Sequence, residues 1–215
     1  MTCCTGFCAA ASHFNPKKAD RDLRRYQRHG PDVTTRILLS ELRRWPLQGL
    51  HLLDIGCGIG VIAVELAAAG LAGVTLADAS AGYLEAARRH FASRGGSLPT
   101  QFILGDFAAT ADALPDADIV TLDRVVCCYA DVEVLLRGAA ARARRMVAFT
   151  YPRDRWYMRA SLVLENSWYW LRQDGFRAFV HSPERMASVL EAAGFVRAAR
   201  HATLLWALDL YRRPA

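Results

Sequence analysis

Three glycines at alternate positions, Gly56, Gly58 and Gly60, are the residues of this chain whose spacing most clearly indicates a ligand site. Residues 50–55 before them form an apolar run typical of a buried parallel strand, and residues 61–69 after them are rich in helix formers. The glycines therefore lie on a strand-to-helix turn. Such a turn lets a ligand approach the backbone N–H groups at the start of a helix.

The spacing and a nearby acid indicate which ligand the turn binds. A dinucleotide turn has the pattern Gly-x-Gly-x-x-Gly, whereas this chain has Gly-x-Gly-x-Gly with Asp54 two positions earlier. A carboxylate at this point repels a pyrophosphate and attracts a cationic sulfonium or ammonium group. We therefore expect the cofactor to contact Asp54, Gly56, Cys57, Gly58 and Gly60.

Residues 52–60, in their strand–turn–helix setting, resemble motif I of the class I S-adenosylmethionine-dependent methyltransferases. The resemblance implies S-adenosylmethionine as cofactor; the alternatives are a nicotinamide cofactor or a turn without a ligand. It also implies an α/β fold with a Rossmann-like, seven-stranded, mostly parallel sheet in the order 3-2-1-4-5-7-6 and a C-terminal antiparallel hairpin. We divide the chain into a flexible terminus (1–11), a helical cap (12–47) and a cofactor-binding methyltransferase domain (48–215).

Two further acids follow predicted strands. Asp78 ends the strand at 73–77 and follows Gly60 by 18 positions, close to the roughly 20 at which an acid accepts hydrogen bonds from ribose hydroxyls. We expect Asp78 and its neighbour Ala79 to contact the cofactor. In the methyltransferase family an acid after strand three accepts from the adenine amino group, and the next residue offers its N–H. The resemblance assigns these roles to Asp106 and Phe107, the alternative being that Asp106 caps a turn.

Residues 123–131 follow strand four at the edge where open α/β sheets bind ligands. We predict Asp123 beside the cofactor and Arg124 beside the substrate. The stretch lacks the Asn/Asp-Pro-Pro-Tyr/Phe string of amino-group methyltransferases and the Pro-Cys nucleophile of the cytosine-C5 type. Candidate bases are few, chiefly His181 and Tyr129, whereas arginines are plentiful. This favours an anionic acceptor, a carboxylate or an acidic phenol, held by a guanidinium, with proximity as the main catalytic contribution.

The cap and the segment 152–179 supply the remaining candidates. Tyr26 and His29 are candidate lid residues on the basic helix at 12–30, and we predict Tyr26 to bind substrate; the alternative for both is ordinary surface. Segment 152–179 is rich in aromatic residues and arginine, and in it we predict Arg153 and Trp156 to bind substrate. A lid or substrate wall, plain core and peripheral membrane contact all remain open for this segment.

Composition limits the remaining classes. The chain has 215 residues, enough for one α/β domain, and a net charge of +6. Its arginines are spread along the chain, which favours a solvated surface over RNA or membrane partners; no DNA partner is expected, and the oligomeric state is left open.

The N-terminus does not have the pattern of a signal peptide, and the six cysteines do not form a secreted disulfide framework, so we expect a cytoplasmic protein with reduced thiols. Cys3, Cys4 and Cys8 lack zinc-site spacing, so we predict no metal.

Within the superfamily, the chain resembles the magnesium-protoporphyrin O-methyltransferases. The likeness rests on Phe14-Asn15 with a downstream Arg-Arg-Tyr, the Leu-Asp after strand four, and the Phe-Thr-Tyr-Pro string at 149–152. That family usually carries His-Tyr where this chain has Cys127-Cys128-Tyr129, so we carry over the cofactor and not the substrate. The hypothesis is O-methylation of a small apolar or aromatic molecule that can be anionic. The alternatives are RNA methylation and a cofactor-binding module without catalysis.

Overall fold

The sheet predicted from the sequence is present. The computed structural model describes residues 12–94, 97–107 and 114–214. Seven strands form one sheet in the order β3-β2-β1-β4-β5-β7-β6, which confirms the predicted order. The strands are β1 (His51–Ile55), β2 (Gly73–Asp78), β3 (Thr100–Leu104), β4 (Ala117–Leu122), β5 (Ala143–Pro152), β6 (Val196–Ala202) and β7 (Trp206–Arg212).

Strands β1 to β5 pair in parallel, and β7 pairs antiparallel with both β5 and β6, as predicted for the closing hairpin. In this register Asp54 lies opposite Leu76 of β2 and Thr121 of β4. The carboxyl ends of β1, β2 and β4 therefore meet at one edge of the sheet. That edge is where the sequence predicts the cofactor site.

Seven α-helices are defined within the described residues. They are α1 (Pro16–His29), α2 (Val33–Leu42), α3 (Val61–Leu66), α4 (Ala81–Arg94), α5 (Val132–Arg142), α6 (Trp156–Leu171) and α7 (Pro183–Ala192). Helix α1 begins after Asn15, whose side chain accepts from the Lys18 N–H at 3.1 Å, and ends at Gly30 with φ 71°. The predicted helix at 61–69 is α3 followed by a 3₁₀ turn, Ala67–Ala69.

The central strands bury side chains on both faces, as a sheet covered by helices on both sides requires. On one face, Leu53 of β1 and Val120 of β4 belong to a core cluster with residues of α5 and α7. On the other face, Leu52 and Ile119 belong to a second cluster with residues of α2, α3 and α4. The two clusters fix the strand ends that carry the acids.

Helix α6 contributes little to the core. Only Met158 and Leu162 of this helix are buried, so the plain-core interpretation of this segment is wrong for α6. Its other large apolar side chains are exposed, namely Trp156, Val163, Leu164, Trp168, Trp170 and Leu171.

Membrane-spanning helices and metal-binding clusters are both absent from the described residues. No helix among them is long and apolar enough to cross a membrane. No group of three or more His, Cys, Asp and Glu side chains in this part of the chain could hold a metal ion. Cys3, Cys4 and Cys8 lie outside the described residues.

Candidate active site

The turn after β1 requires glycine for two different reasons. Gly56, Gly58 and Gly60 have φ values of 62°, 54° and 74°, which side chains other than glycine rarely adopt. A Cβ on Gly56 would lie 2.3 Å from Cγ2 of Val125, so this glycine is also needed for packing. A Cβ on Gly58 would meet only the Tyr83 ring, at 3.7 Å, so the surface there is open to a ligand.

Asp78 links the glycine turn to the end of β2. Its Oδ2 accepts from the Gly58 N–H at 2.9 Å, and its Oδ1 accepts from the Ser80 N–H at 2.8 Å. Burial raises the pKa of this carboxyl to about 6, while the backbone hydrogen bonds oppose the rise. Asp78 therefore orders the turn and keeps lone pairs for a ligand that donates hydrogen bonds.

Asp54 is the buried acid of the site, with 2% of its surface exposed. The Thr121 hydroxyl donates to its Oδ1 at 2.7 Å. Burial raises the pKa of Asp54 to about 8, and the charges of Asp123 and Asp78 add to the rise. A cationic ligand at this end of the sheet would favour the ionised form of Asp54 over the protonated form.

These groups line one cavity of about 600 Å³, within the range of small-molecule sites. Its charged lining is mainly acidic, with six aspartates against one lysine and two arginines. Such a lining suits a cation and disfavours a phosphate. The charged residues that line it are Asp22, Asp32, Asp54, Asp78, Asp106, Asp123, Lys18, Arg25 and Arg124.

Asp123 is held by hydroxyls from two elements. Thr35 of α2 donates to Oδ2 at 2.6 Å, and Thr150 of β5 donates to Oδ1 at 2.6 Å. The next residue, Arg124, has φ 62° and donates its N–H to the Thr150 hydroxyl at 2.8 Å. The Arg124 guanidinium lies 2.6 Å from Asp32, the residue before α2.

Tyr129 lines the cavity beside Asp106. Its hydroxyl donates to Asp106 Oδ1 at 3.0 Å, and burial together with the Asp106 charge raises its pKa well above the ordinary value for tyrosine. This shift opposes the predicted role of Tyr129 as a base, because the phenol keeps its proton at neutral pH. Tyr129 is better suited to holding Asp106 in place.

Most predicted site residues converge on the cavity. The predicted residues that line it are Asp54, Gly56, Cys57, Gly58, Asp78, Ala79, Asp106, Phe107, Asp123, Tyr26, Arg124 and Tyr129. Gly60 does not line it: a Cβ there would meet Ala87 of α4 at 3.4 Å, so Gly60 allows two helices to approach closely. His29 of α1 also lies outside the lining.

Three predicted substrate or catalytic residues also lie away from the cavity. Phe149 of β5 pairs with the last residue of β4, and β5 continues for three more residues. Arg153 therefore lies beyond the end of β4, where its guanidinium donates to the Thr203 carbonyl at 2.9 Å. Trp156 is 80% exposed at the start of α6. His181 lies behind Tyr129, with its Nε2 2.9 Å from the Tyr129 carbonyl oxygen.

Sequence reasoning predicted that α1 covers the site through Tyr26, but it missed three other residues of this helix. Lys18, Asp22 and Arg25 all line the cavity. Their spacing of four and then three residues places them on one face of a helix, so the pattern was available in the sequence. The side of α1 that packs on α4 includes Tyr26, whose hydroxyl donates to Glu65 at 2.9 Å.

Comparisons with known proteins agree with this geometry. The profile of a family described as "Methyltransferase domain" matches residues 52–148, which include the glycine turn and strands β1 to β4. A magnesium protoporphyrin IX methyltransferase from Synechocystis PCC 6803, solved with bound S-adenosylhomocysteine, superposes with a TM-score of 0.74 at 20% identity, over 97% of this chain and all of that chain. An O-methyltransferase family protein from Burkholderia thailandensis gives 0.67 at 14% identity, over 92% of this chain and 58% of that chain.

Among curated proteins, a ubiquinone biosynthesis O-methyltransferase from Sinorhizobium fredii is 35% identical over 159 residues, 69% of this chain and 61% of that protein. Its Chelativorans counterpart is 38% identical over 99 residues, 44% of this chain and 36% of that protein. The chain thus spans about a third to three fifths of the curated relatives it matches. Residues 52–148 match a methyltransferase domain, and the strand order together with these solved structures confirms the predicted fold. The S-adenosylhomocysteine bound to the Synechocystis protein agrees with the predicted cofactor.

Proposed function

We propose that the protein is an S-adenosylmethionine-dependent methyltransferase that methylates an oxygen atom of a small molecule. The observation that carries this proposal is the aspartate-lined cavity at the glycine turn. In it, Asp54 faces the cationic methionine part of the cofactor, Asp78 accepts from the ribose hydroxyls, and Asp106 with Phe107 holds the adenine. The turn itself lets the cofactor approach the backbone at Gly58.

An oxygen acceptor is supported by two observations. The relatives from Sinorhizobium fredii and Chelativorans are both named O-methyltransferases. In the cavity, Arg124 has its backbone fixed by Thr150 and its guanidinium oriented by an ion pair with Asp32, and its remaining N–H groups suit an anionic group on the substrate. We therefore propose a small apolar or aromatic substrate with a carboxylate or an acidic hydroxyl.

The acidic lining makes RNA the weaker alternative, because phosphates would be repelled by most of the charged side chains in the cavity. A binding module without catalysis would hold the cofactor and leave its methyl group in place. A methyltransferase and a binding module therefore differ in one measurable product, S-adenosylhomocysteine, which only the methyltransferase forms.

The test is incubation of the full chain with S-adenosylmethionine and a panel of substituted phenols and aromatic carboxylic acids, with mass spectrometry of S-adenosylhomocysteine and methylated product. Gly58→Val is the control, because a valine side chain would fill the open space in front of this turn and would be strained at its positive φ, so it should exclude the cofactor. Turnover by the wild type alone supports the proposal. Tight cofactor binding with no turnover on the panel or on a metabolite extract supports the binding module, and methyl incorporation into purified RNA supports the RNA alternative.

A second proposal concerns a partner of the exposed face of α6. Trp156 and Trp170 are 80% and 69% exposed, and Leu204 in the β6–β7 turn is 73% exposed. The Tyr157 hydroxyl donates to the Leu204 carbonyl at 2.7 Å, so the start of α6 and this turn are adjacent. With Arg155 next to Trp156, we propose contact with an anionic membrane surface.

Co-sedimentation with phosphatidylglycerol vesicles tests this contact, with phosphatidylcholine vesicles as the neutral control. Trp156→Ala should weaken binding to the anionic vesicles. Equal binding to both kinds of vesicle, or no binding to either, would contradict the proposal.

A further inference from the structure

Three polar side chains form a hydrogen-bonded chain that leads from the cavity to the segment after α6. Lys18 of α1 lines the cavity, and its Nζ lies 2.8 Å from Nε2 of His13. The other ring nitrogen of His13, Nδ1, lies 2.9 Å from Oδ2 of Asp174, in the segment after α6. His13 and Asp174, 161 positions apart in the sequence, thus meet behind the Lys18 amine.

The contacts fix the direction of each hydrogen bond. An ionised carboxylate can only accept, so Nδ1 of His13 carries the proton given to Asp174, and Nε2 is left to accept from Lys18. The His13 ring is stacked on Phe176 at 4.4 Å between centroids and lies edge-on to Phe14 and Tyr169, both at 5.0 Å. These rings hold the imidazole in place.

The surroundings of Lys18 weaken its hold on the ammonium proton. Burial lowers the pKa of the Lys18 ammonium below its ordinary value, and Arg21 lowers it further. The negative groups around it, Asp22 and Asp174, act in the opposite direction, and the net shift is downward. A neutral amine in the cavity can take a proton.

We propose that Lys18, backed by His13 and Asp174, is the proton acceptor for the substrate hydroxyl, which deepens the proposed function and depends on it. The acceptor oxygen forms a bond to the methyl carbon while the bond from that carbon to sulfur breaks, and the electron pair of the broken bond stays on sulfur. The hydroxyl proton goes to the Lys18 amine. The ammonium can pass a proton to Nε2 of His13, where the imidazolium lies beside the Asp174 carboxylate.

This assignment narrows the substrate class. A carboxylic acid, with a pKa near 4, reaches the site already ionised and needs no base, whereas a phenol, with a pKa near 10, arrives protonated. The presence of a proton acceptor, Lys18, therefore favours a phenolic hydroxyl as the methylated group. Arg124 is then left to pair with a separate anionic group of the substrate.

The first test measures Lys18 itself and needs no substrate. Proteins labelled with ¹³C at lysine Cε are titrated by NMR in the presence of S-adenosylhomocysteine, and Lys18→Arg assigns the signal. We expect Lys18 to titrate below the ordinary lysine value of about 10.4. Titration at or above that value would mean that Lys18 is an ammonium at working pH and would overturn the proposal.

The second test uses the best phenol of the panel. Lys18→Arg keeps the positive charge but cannot act as a base, so we expect kcat/KM to fall about 10²- to 10⁴-fold. Binding of S-adenosylhomocysteine should stay within about threefold, which shows that the variant is folded with its cofactor site intact. Lys17→Arg, on an exposed neighbour, is the matched control and should keep full activity.

A pH profile separates proton transfer from charge pairing. For the wild type, kcat/KM should fall as pH drops through the pKa of Lys18, and Asp174→Asn should displace this limb. If the Lys18→Arg variant keeps the turnover of the wild type at every pH, Lys18 acts only through its positive charge and the proposal is wrong. If the wild type does not bind S-adenosylhomocysteine, the proposed function itself is refuted.

Discussion

Asp78→Ala is the substitution that separates a cofactor-binding carboxylate from a structural one. In the structure the carboxylate accepts from the Gly58 N–H at 2.9 Å and from the Ser80 N–H at 2.8 Å. In the complex we propose that it also accepts from the ribose hydroxyls. Loss of hydrogen bonds to a charged acceptor costs about 1.5–3 kcal/mol, so affinity for S-adenosylhomocysteine should fall about 10- to 150-fold.

The assay is isothermal titration calorimetry at about pH 8, where an acid with a pKa of about 6 is ionised in the wild type. Asp118→Ala is the matched control, because Asp118 accepts from the His51 N–H at 2.9 Å and does not line the cavity. Both variants lose a carboxylate that binds backbone, and denaturant unfolding should show that both are folded. If Asp78→Ala binds as tightly as Asp118→Ala, Asp78 does not contact the cofactor.

Three further predictions follow from single contacts. Gly56→Ala places a Cβ 2.3 Å from Val125 Cγ2 and should lower the free energy of unfolding by about 1–3 kcal/mol more than Gly49→Ala, which has a similar positive φ and open space around it; denaturant unfolding measures both. Arg124→Gln should raise KM for an anionic substrate at least about tenfold and leave the dissociation constant of S-adenosylhomocysteine unchanged, and a smaller change would remove Arg124 from the substrate site. The carboxyl of Asp54 has a pKa of about 8 in the folded state and about 4 in the unfolded chain. Between these pH values only the folded state keeps the proton, so the contribution of Asp54 to stability is lost as pH rises from about 4 to about 8. Unfolding curves should therefore show the wild type losing up to about 1.4 kcal/mol per pH unit relative to Asp54→Asn over that window, and parallel curves would show that Asp54 is not buried as described.

The turn and the acids at the strand ends could be predicted from the sequence because they are local. The alternate glycines need positive φ on a strand-to-helix turn, and Asp78 follows its strand directly. The parallel register then brings the carboxyl ends of the strands together without further information. This is why Asp54 and Asp78 could be placed on one cavity from spacing alone.

The wall of the cavity could not be predicted in the same way, because it depends on contacts between distant segments. His13 meets Asp174, and Thr35 meets Asp123 across 88 positions. The predictions for Arg153 and Trp156 placed them by their position after strand five. The extra length of β5 past the end of β4 carries both away from the site, and strand length cannot be read that finely from composition.

The most direct test of the central claim is a crystal structure of the full chain with S-adenosylhomocysteine. We predict the ribose hydroxyls within hydrogen-bond distance of Asp78, the adenine beside Asp106 and Phe107, and the homocysteine sulfur facing the part of the cavity lined by Lys18. A ligand bound elsewhere, or one whose ribose makes no contact with Asp78, would contradict the assignment of this cavity as the cofactor site.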